Sequence, residues 1–169
     1  MQSGNKTFVI VGTDHDLQKP GCSSPFADFV LELCRHYKVD FIAEEANGME
    51  WTHAKSVSSL VGAMWANVDI TQKESESMRL GSTWDASLSC DDRFLRDSRQ
   101  HFLGPMEERE WVWVARAASR TIHSCLLICG VVHTLSVSSK LASVGHTVLP
   151  HYYIPHSEVS LGRENGSQQ

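Results

Sequence analysis

The sequence has no apolar run long enough to cross a bilayer. Its longest, Ser124 to Val132, holds two cysteines and falls far short of the roughly twenty residues required. It has no basic cluster either: 15 Lys and Arg stand against 20 Asp and Glu, for a formal net charge of -5. No predicted helix face gathers the Lys and Arg, so nucleic acid is disfavoured as a partner. The opening residues MQSGNKT lack the charged-then-apolar pattern of an export signal. Cysteine is sparse, with five residues and no CxxC pair, which argues against both a disulfide framework and a zinc knuckle. Reduced thiols suit a cytosol, so the expectation is a soluble, cytoplasmic chain without a membrane partner. No internal repeat of 20 to 50 residues is visible.

What is present is an alternation of strand and helix signals in 169 residues, 41% of them hydrophobic and 21% charged, a size and balance that favour one domain. Thr7 to Gly12, TFVIVG, is short, β-branched and ends in glycine, as a buried parallel strand does. After the turn QKPGCSSP, Pro25 opens a helix with Phe26, Phe29, Val30, Leu33, Cys34 and Tyr37 on one face. Val39 to Ala46, VDFIAEEA, reads as a second strand ending in two carboxylates. Thr52 caps a second helix with Val57, Leu60, Val61 and Met64 turned inward, and a third strand follows at Trp65 to Ile70. From Gln72 to Leu103 the pattern weakens; RFLRDSRQHFL offers one short helix in a segment long for a plain connector. Gly104 and Pro105 open the next helix, with Glu107 and Glu108 in its first turn and Trp111, Val114, Ala115, Ala118 and Ile122 at helical spacing. HSCLLICGVVH is a fourth strand, Leu135 to Val144 a last helix stopped by Gly145, and HTVLPHYYI a fifth strand. Residues 157–169 form a polar tail expected to be disordered, leaving 1–156 as the domain.

Strands separated by helices need crossover connections, so the expected fold is α/β: a single domain with a mostly parallel central sheet of about five strands and helices on both faces. In such sheets ligands gather beyond the carboxyl ends of the strands. His15 in VIVGTDHD, Glu44 and Glu45 in FIAEEA, and His133 in LLICGVVH all lie just past such ends. Two imidazoles and a carboxylate are the donor set of a catalytic divalent metal that keeps one position open. Asp14, Asp16 and Asp69 are further candidate donors, and the spacing leaves open which of Glu44 and Glu45 faces the site. Composition alone would produce a Gly-x-x-His pair roughly 0.6 times in such a chain, so the duplication signifies little by itself. Its placement after two strand-like runs, with a carboxylate pair ending a third, is what gives it weight. Histidines merely hydrogen-bonded at strand ends are the bland alternative.

The paired GTDH and GVVH, the strand-end FIAEEA and the REW opening of a helix resemble the TraB and Tiki group, which belongs with the erythromycin-esterase-like and ChaN-like proteins. The resemblance spans residue 7 to about 150. It implies that His15 and His133 are the motif histidines, that Glu45 matches the strand-end glutamate with Glu44 close behind, and that Arg109 matches the arginine preceding the second motif. It further implies a metal-dependent hydrolase of an amide or ester bond, acting on a small-molecule or peptide substrate. A divalent ion (Mn, Co, Zn or Fe) on His15, Glu45 and His133 would make water a nucleophile at neutral pH. In that scheme Arg109 stabilises the developing oxyanion and Glu44 carries the proton. The plainer reading of Arg109 is an ion pair with Glu108 or Glu110. A haem- or metal-binding protein without turnover, and a catalytically inactive interaction module, are the alternatives.

Other residues point to packing. Trp111 is expected in the core with Trp113 partly exposed, and Cys125 and Cys129 on one side of a strand as small apolar residues. HYYIPH reads as a strand end with aromatic packing, because His151 and His156 have no nearby carboxylate but Glu158.

Overall fold

A computed structural model describes residues 4–21, 24–46, 48–71, 73–74 and 107–155. The expected helix within 72–103, the opening of a helix at Gly104 and Pro105, His156 and the polar tail lie outside the described residues.

Five parallel strands form one sheet in the order β3-β2-β4-β1-β5. They are β1 (Thr7–Thr13), β2 (Phe41–Glu44), β3 (Met64–Asn67), β4 (Ser124–Gly130) and β5 (Thr147–Tyr152). Among the described residues the helices that accompany them include α1 (His15–Gln18), α2 (Ser24–His36), α3 (His53–Val61), α4 (residues 107–120) and α5 (Thr134–Ser143). The α/β expectation of about five mostly parallel strands with helices on both faces therefore holds. Among the described residues no helix is long and apolar enough to cross a membrane.

Strand alternation builds two cores, one on each face. Phe8, Ile10, Phe41, Ala43, Cys125, Leu127 and Cys129 point to the α4 and α5 side, packing on Trp113, Val114, Ala117, Val137 and Leu141. Val9, Val11, Ile42, Leu126 and Ile128 point to the α2 and α3 side, packing on Phe26, Val30, Leu33, Ala54 and Val57. The central strands β1 and β4 are buried almost throughout because helices cover both their faces, which is why they read as unbroken apolar runs. Pro150 is tolerated in β5 because that strand is an edge, with one side free of ladder bonds.

Several boundaries and faces differ from expectation. β2 and β3 are four residues each, shorter than the Val39–Ala46 and Trp65–Ile70 spans. The fourth strand ends at Gly130, and Val131–His133 coils into a tight helical turn running into α5. Thr52 does cap α3, accepting from the Lys55 N–H at 3.1 Å, and Gly62 closes that helix in the left-handed region at φ 71°. Leu60 and Met64, expected inside, are exposed.

The buried face of α4 is also rotated from the expected one. Trp113 is fully buried while Trp111 is 40% exposed, the reverse of the expectation, and Ala115 and Ile122 are exposed too. Apolar spacing missed this face because it starts with a charged residue. Glu110, Trp113, Val114 and Ala117 recur at helical intervals, and Glu110 is buried with them.

The connections locate the site. The chain leaves β1 through α1 and α2 toward β2 on one face, and leaves β4 through α5 toward β5 on the other. Neighbouring strands β1 and β4 therefore send their chains apart, which opens a crevice at their carboxyl ends, the position where open α/β sheets bind ligands.

Candidate functional site

His15 follows β1 and His133 follows β4, so both imidazoles stand at that crevice. The two Gly-x-x-His motifs are not register-matched, since Gly12 pairs with Cys129 and Thr13 with Gly130. His15 begins α1, whose amino end is capped by the Asp14 carboxylate accepting from the Asp16 N–H at 3.0 Å. His133 ends the tight turn before α5 and is buried.

Glu45 lies one residue beyond β2, its N–H donating to the Ile128 carbonyl at 2.9 Å. Strand alternation turns Glu44 toward α3 and Glu45 toward the two histidines, which decides between them. Glu45 Oε2 is 3.6 Å from His15 Nε2, and Oε1 is 3.9 Å from His133 Nε2. The Gly130 N–H donates to Oε2 at 2.9 Å, and Arg109 donates to Oε1 at 3.1 Å. A Cβ on Gly130 would meet His15 Nε2 at 3.1 Å, so the absence of a side chain there gives the cluster its floor. Burial dominates the Glu45 carboxyl and holds it above the usual range, against the opposing pull of His133, the Gly130 N–H, His15 and Arg109.

Each ring is held from behind. His133 Nδ1 lies 2.7 Å from buried Glu110 Oε1, and its ring meets Trp113 edge-on with centroids 5.0 Å apart. His15 Nδ1 lies 3.1 Å from Gln18 Oε1, and Gln18 is fully buried. A carboxylate oxygen only accepts, and the Gln18 oxygen does the same, so both Nδ1 atoms are placed to donate. In the neutral imidazole that leaves each Nε2 with a lone pair facing a Glu45 oxygen. Acceptor facing acceptor is repulsive unless a proton or a metal cation lies between them.

Two imidazoles and a carboxylate are the donor chemistry of a divalent-ion site. The nitrogen-to-oxygen separations, 3.6 and 3.9 Å, are longer than the edge of a tetrahedron with bonds near 2.1 Å, about 3.4 Å. Among the described residues no group of three His, Cys, Asp or Glu side chains is arranged to hold a metal ion.

The remaining candidates are placed differently. Asp14 is the α1 cap, and exposed Asp16 pairs with Lys19 at 2.6 Å. Asp69 accepts from Arg109 Nε and NH2, both at 2.7 Å, and from the Trp113 indole at 3.1 Å. Arg109 thus bridges Asp69 and Glu45 over the Trp113 ring, 4.9 Å from its centroid, in place of the pairing expected with Glu108 or Glu110. Glu44, fully buried on the opposite face, accepts from Thr52 Oγ1 at 2.6 Å and Trp65 Nε1 at 2.7 Å. Burial, ahead of those bonds, pushes its carboxyl up to about 7.

Two contributors escaped the sequence reading. Glu110 sits one residue past Arg109, and only its place on the Trp113 face of α4 would have marked it. Gln18 is three residues after His15, a spacing that signals contact only once α1 is known to be helical. The chain matches no family profile, no curated protein and no solved structure.

Proposed function

We propose that the chain is a metal-dependent hydrolase of the TraB/Tiki kind, cleaving an amide or ester bond of a small molecule or peptide at the carboxyl end of its sheet. The observation carrying this reading is the pair of Nε2 atoms set against the two oxygens of one buried carboxylate, at the fork between β1 and β4. His15, Glu45 and His133 would hold the ion, which as a Lewis acid supplies a nucleophile from water at neutral pH and polarises the scissile carbonyl.

The protein's own groups do the positioning. Arg109 holds Glu45 by one oxygen and the Gly130 N–H holds it by the other, fixing the carboxylate in the crevice. The guanidinium is committed to Asp69 as well, so the role that fits Arg109 is orientation of Glu45, with its charge placed where an oxyanion develops. Glu44, turned to the opposite face and held by Thr52 and Trp65, is not placed to carry the proton expected of it. Substrate approaches over His15, whose side chain is 33% exposed, against 2% for Glu45 and 7% for His133.

Elemental analysis of protein purified without chelator tests the reading. We expect about one divalent ion per chain, lost in the His15→Ala, His133→Ala double variant, and ester or peptide hydrolysis falling by orders of magnitude with it. Equal metal content in the two proteins defeats the ligand assignment.

A further inference from the structure

Behind His133 lies a cluster of ionisable groups that the proposed chemistry does not use. Glu110, 4% exposed, receives Ser136 Oγ at 2.5 Å and Lys140 Nζ at 3.0 Å on Oε2, and faces His133 Nδ1 with Oε1. Lys140 Nζ also donates to Ser136 Oγ at 2.9 Å. Ser136 and Lys140 are one turn apart on α5, so one helix face presents both donors to a carboxylate from α4.

Burying such an ion pair is no efficient route to stability, since apolar side chains of similar volume generally do as well. The one thing they would not provide is an anionic acceptor at a fixed point behind the imidazole. Ser136 and Lys140 occupy Oε2, and this directs Oε1 at Nδ1. Three groups, His133, Ser136 and Lys140, converge on this one buried carboxylate and compensate its charge where it lies.

From this geometry we infer that Glu110 is a positioning residue: it locks His133 as the Nδ1–H tautomer and aims the Nε2 lone pair at Glu45. Gln18 does the same for His15 through its amide oxygen. The inference deepens the hydrolase reading, on which it rests for the use made of those lone pairs, whereas the tautomer is a property of the metal-free chain. It also assigns unequal supports to the two rings, a carboxylate behind one and a neutral amide behind the other.

The test uses the full chain in two charge-balanced variants, Glu110→Leu with Lys140→Met and Glu110→Gln with Lys140→Met, each checked for folding by circular dichroism and thermal melting. Long-range proton–nitrogen NMR correlations, recorded metal-free at a pH where both rings are neutral, report the tautomer of His133. Titration calorimetry with Zn2+ reports the lone pair. We expect His133 of the unsubstituted protein to be Nδ1–H, the Leu variant to gain the Nε2–H form and bind Zn2+ 10- to 100-fold more weakly, and the Gln variant, whose amide oxygen still accepts, to regain most of both. An unchanged tautomer and affinity in the Leu variant would overturn the inference, as would a Gln variant no better than the Leu variant. If the unsubstituted protein takes up no Zn2+, the hydrolase reading fails, and the tautomer comparison still decides the role of Glu110.

Discussion

At the scale of single residues, one methyl group is enough to perturb the site. The Cβ of Gly130→Ala would lie 3.1 Å from His15 Nε2 and 3.6 Å from Glu45 Oε2, tighter than comfortable contact with the ring and close to the carboxylate. Because the His15 side chain is 33% exposed, its ring can give by the few tenths of an ångström required, and the fold should tolerate the change with a stability loss under about 1 kcal/mol. Zn2+ affinity should drop at least tenfold. Calorimetry beside a thermal melt separates the two effects, and unchanged affinity would remove Gly130 from the site. Glu44 gives a pH prediction with a definite sign. Its carboxyl is at about 7 when folded, against an ordinary 4.5, so the native state holds a proton that the unfolded chain releases between those values. Its contribution is complete below pH 4.5 and is lost as pH rises toward 7, at up to about 1.4 kcal/mol per pH unit. Denaturant titrations of Glu44→Gln should therefore fall less steeply across that window than those of the unsubstituted protein; parallel curves would contradict the shift.

Elements were legible where apolar spacing was unbroken and misread where a charged residue shared the buried face. α2 follows its apolar stripe, and α3 begins at its Thr52 cap as read. α4 is the counterexample, because its inward row begins with Glu110 and an apolar count places the stripe one step round the helix. The consequence is measurable. Trp113→Ala should cost about 3 to 5 kcal/mol, since it empties a buried site and strips the indole donor from Asp69. Trp111→Ala, on the outer side, should cost under about 1 kcal/mol. Equal losses in urea melts would show α4 packed differently. The end of α4 is also tied to the segment just after β3 by Arg116, which donates to the Val68 and Asp69 carbonyls at 3.2 and 2.6 Å. Arginine spacing along a helix says nothing of a carbonyl more than 40 residues away, so this clamp had no sequence signal.

For the whole molecule, the sheet is shared by two cores, and cysteines report on both. Cys34 belongs to the α2 and α3 side, while Cys125 and Cys129 belong to the α4 and α5 side. Burial pushes Cys34 and Cys125 up to about 12 and raises Cys129 as well, so none forms a thiolate near neutral pH in the folded chain. With Cys22 and Cys90 replaced by serine, all three should resist alkylation and become reactive in a single step as denaturant is raised. Two separate steps, one for each face, would mean that the cores do not unfold as one cooperative unit.

The sequence by itself determined the fold class and the residues at three strand ends, because period-two burial and turn residues are local and leave a direct trace in the order of amino acids. Tertiary structure alone decided that Glu45 faces the imidazoles while Glu44 faces Thr52 and Trp65, that Arg109 reaches Asp69, and that Glu110 and Gln18 stand behind the rings. Those are contacts across strands and between distant helices, set by the order of strands in the sheet and the rotation of each helix about its axis, quantities to which no local spacing corresponds.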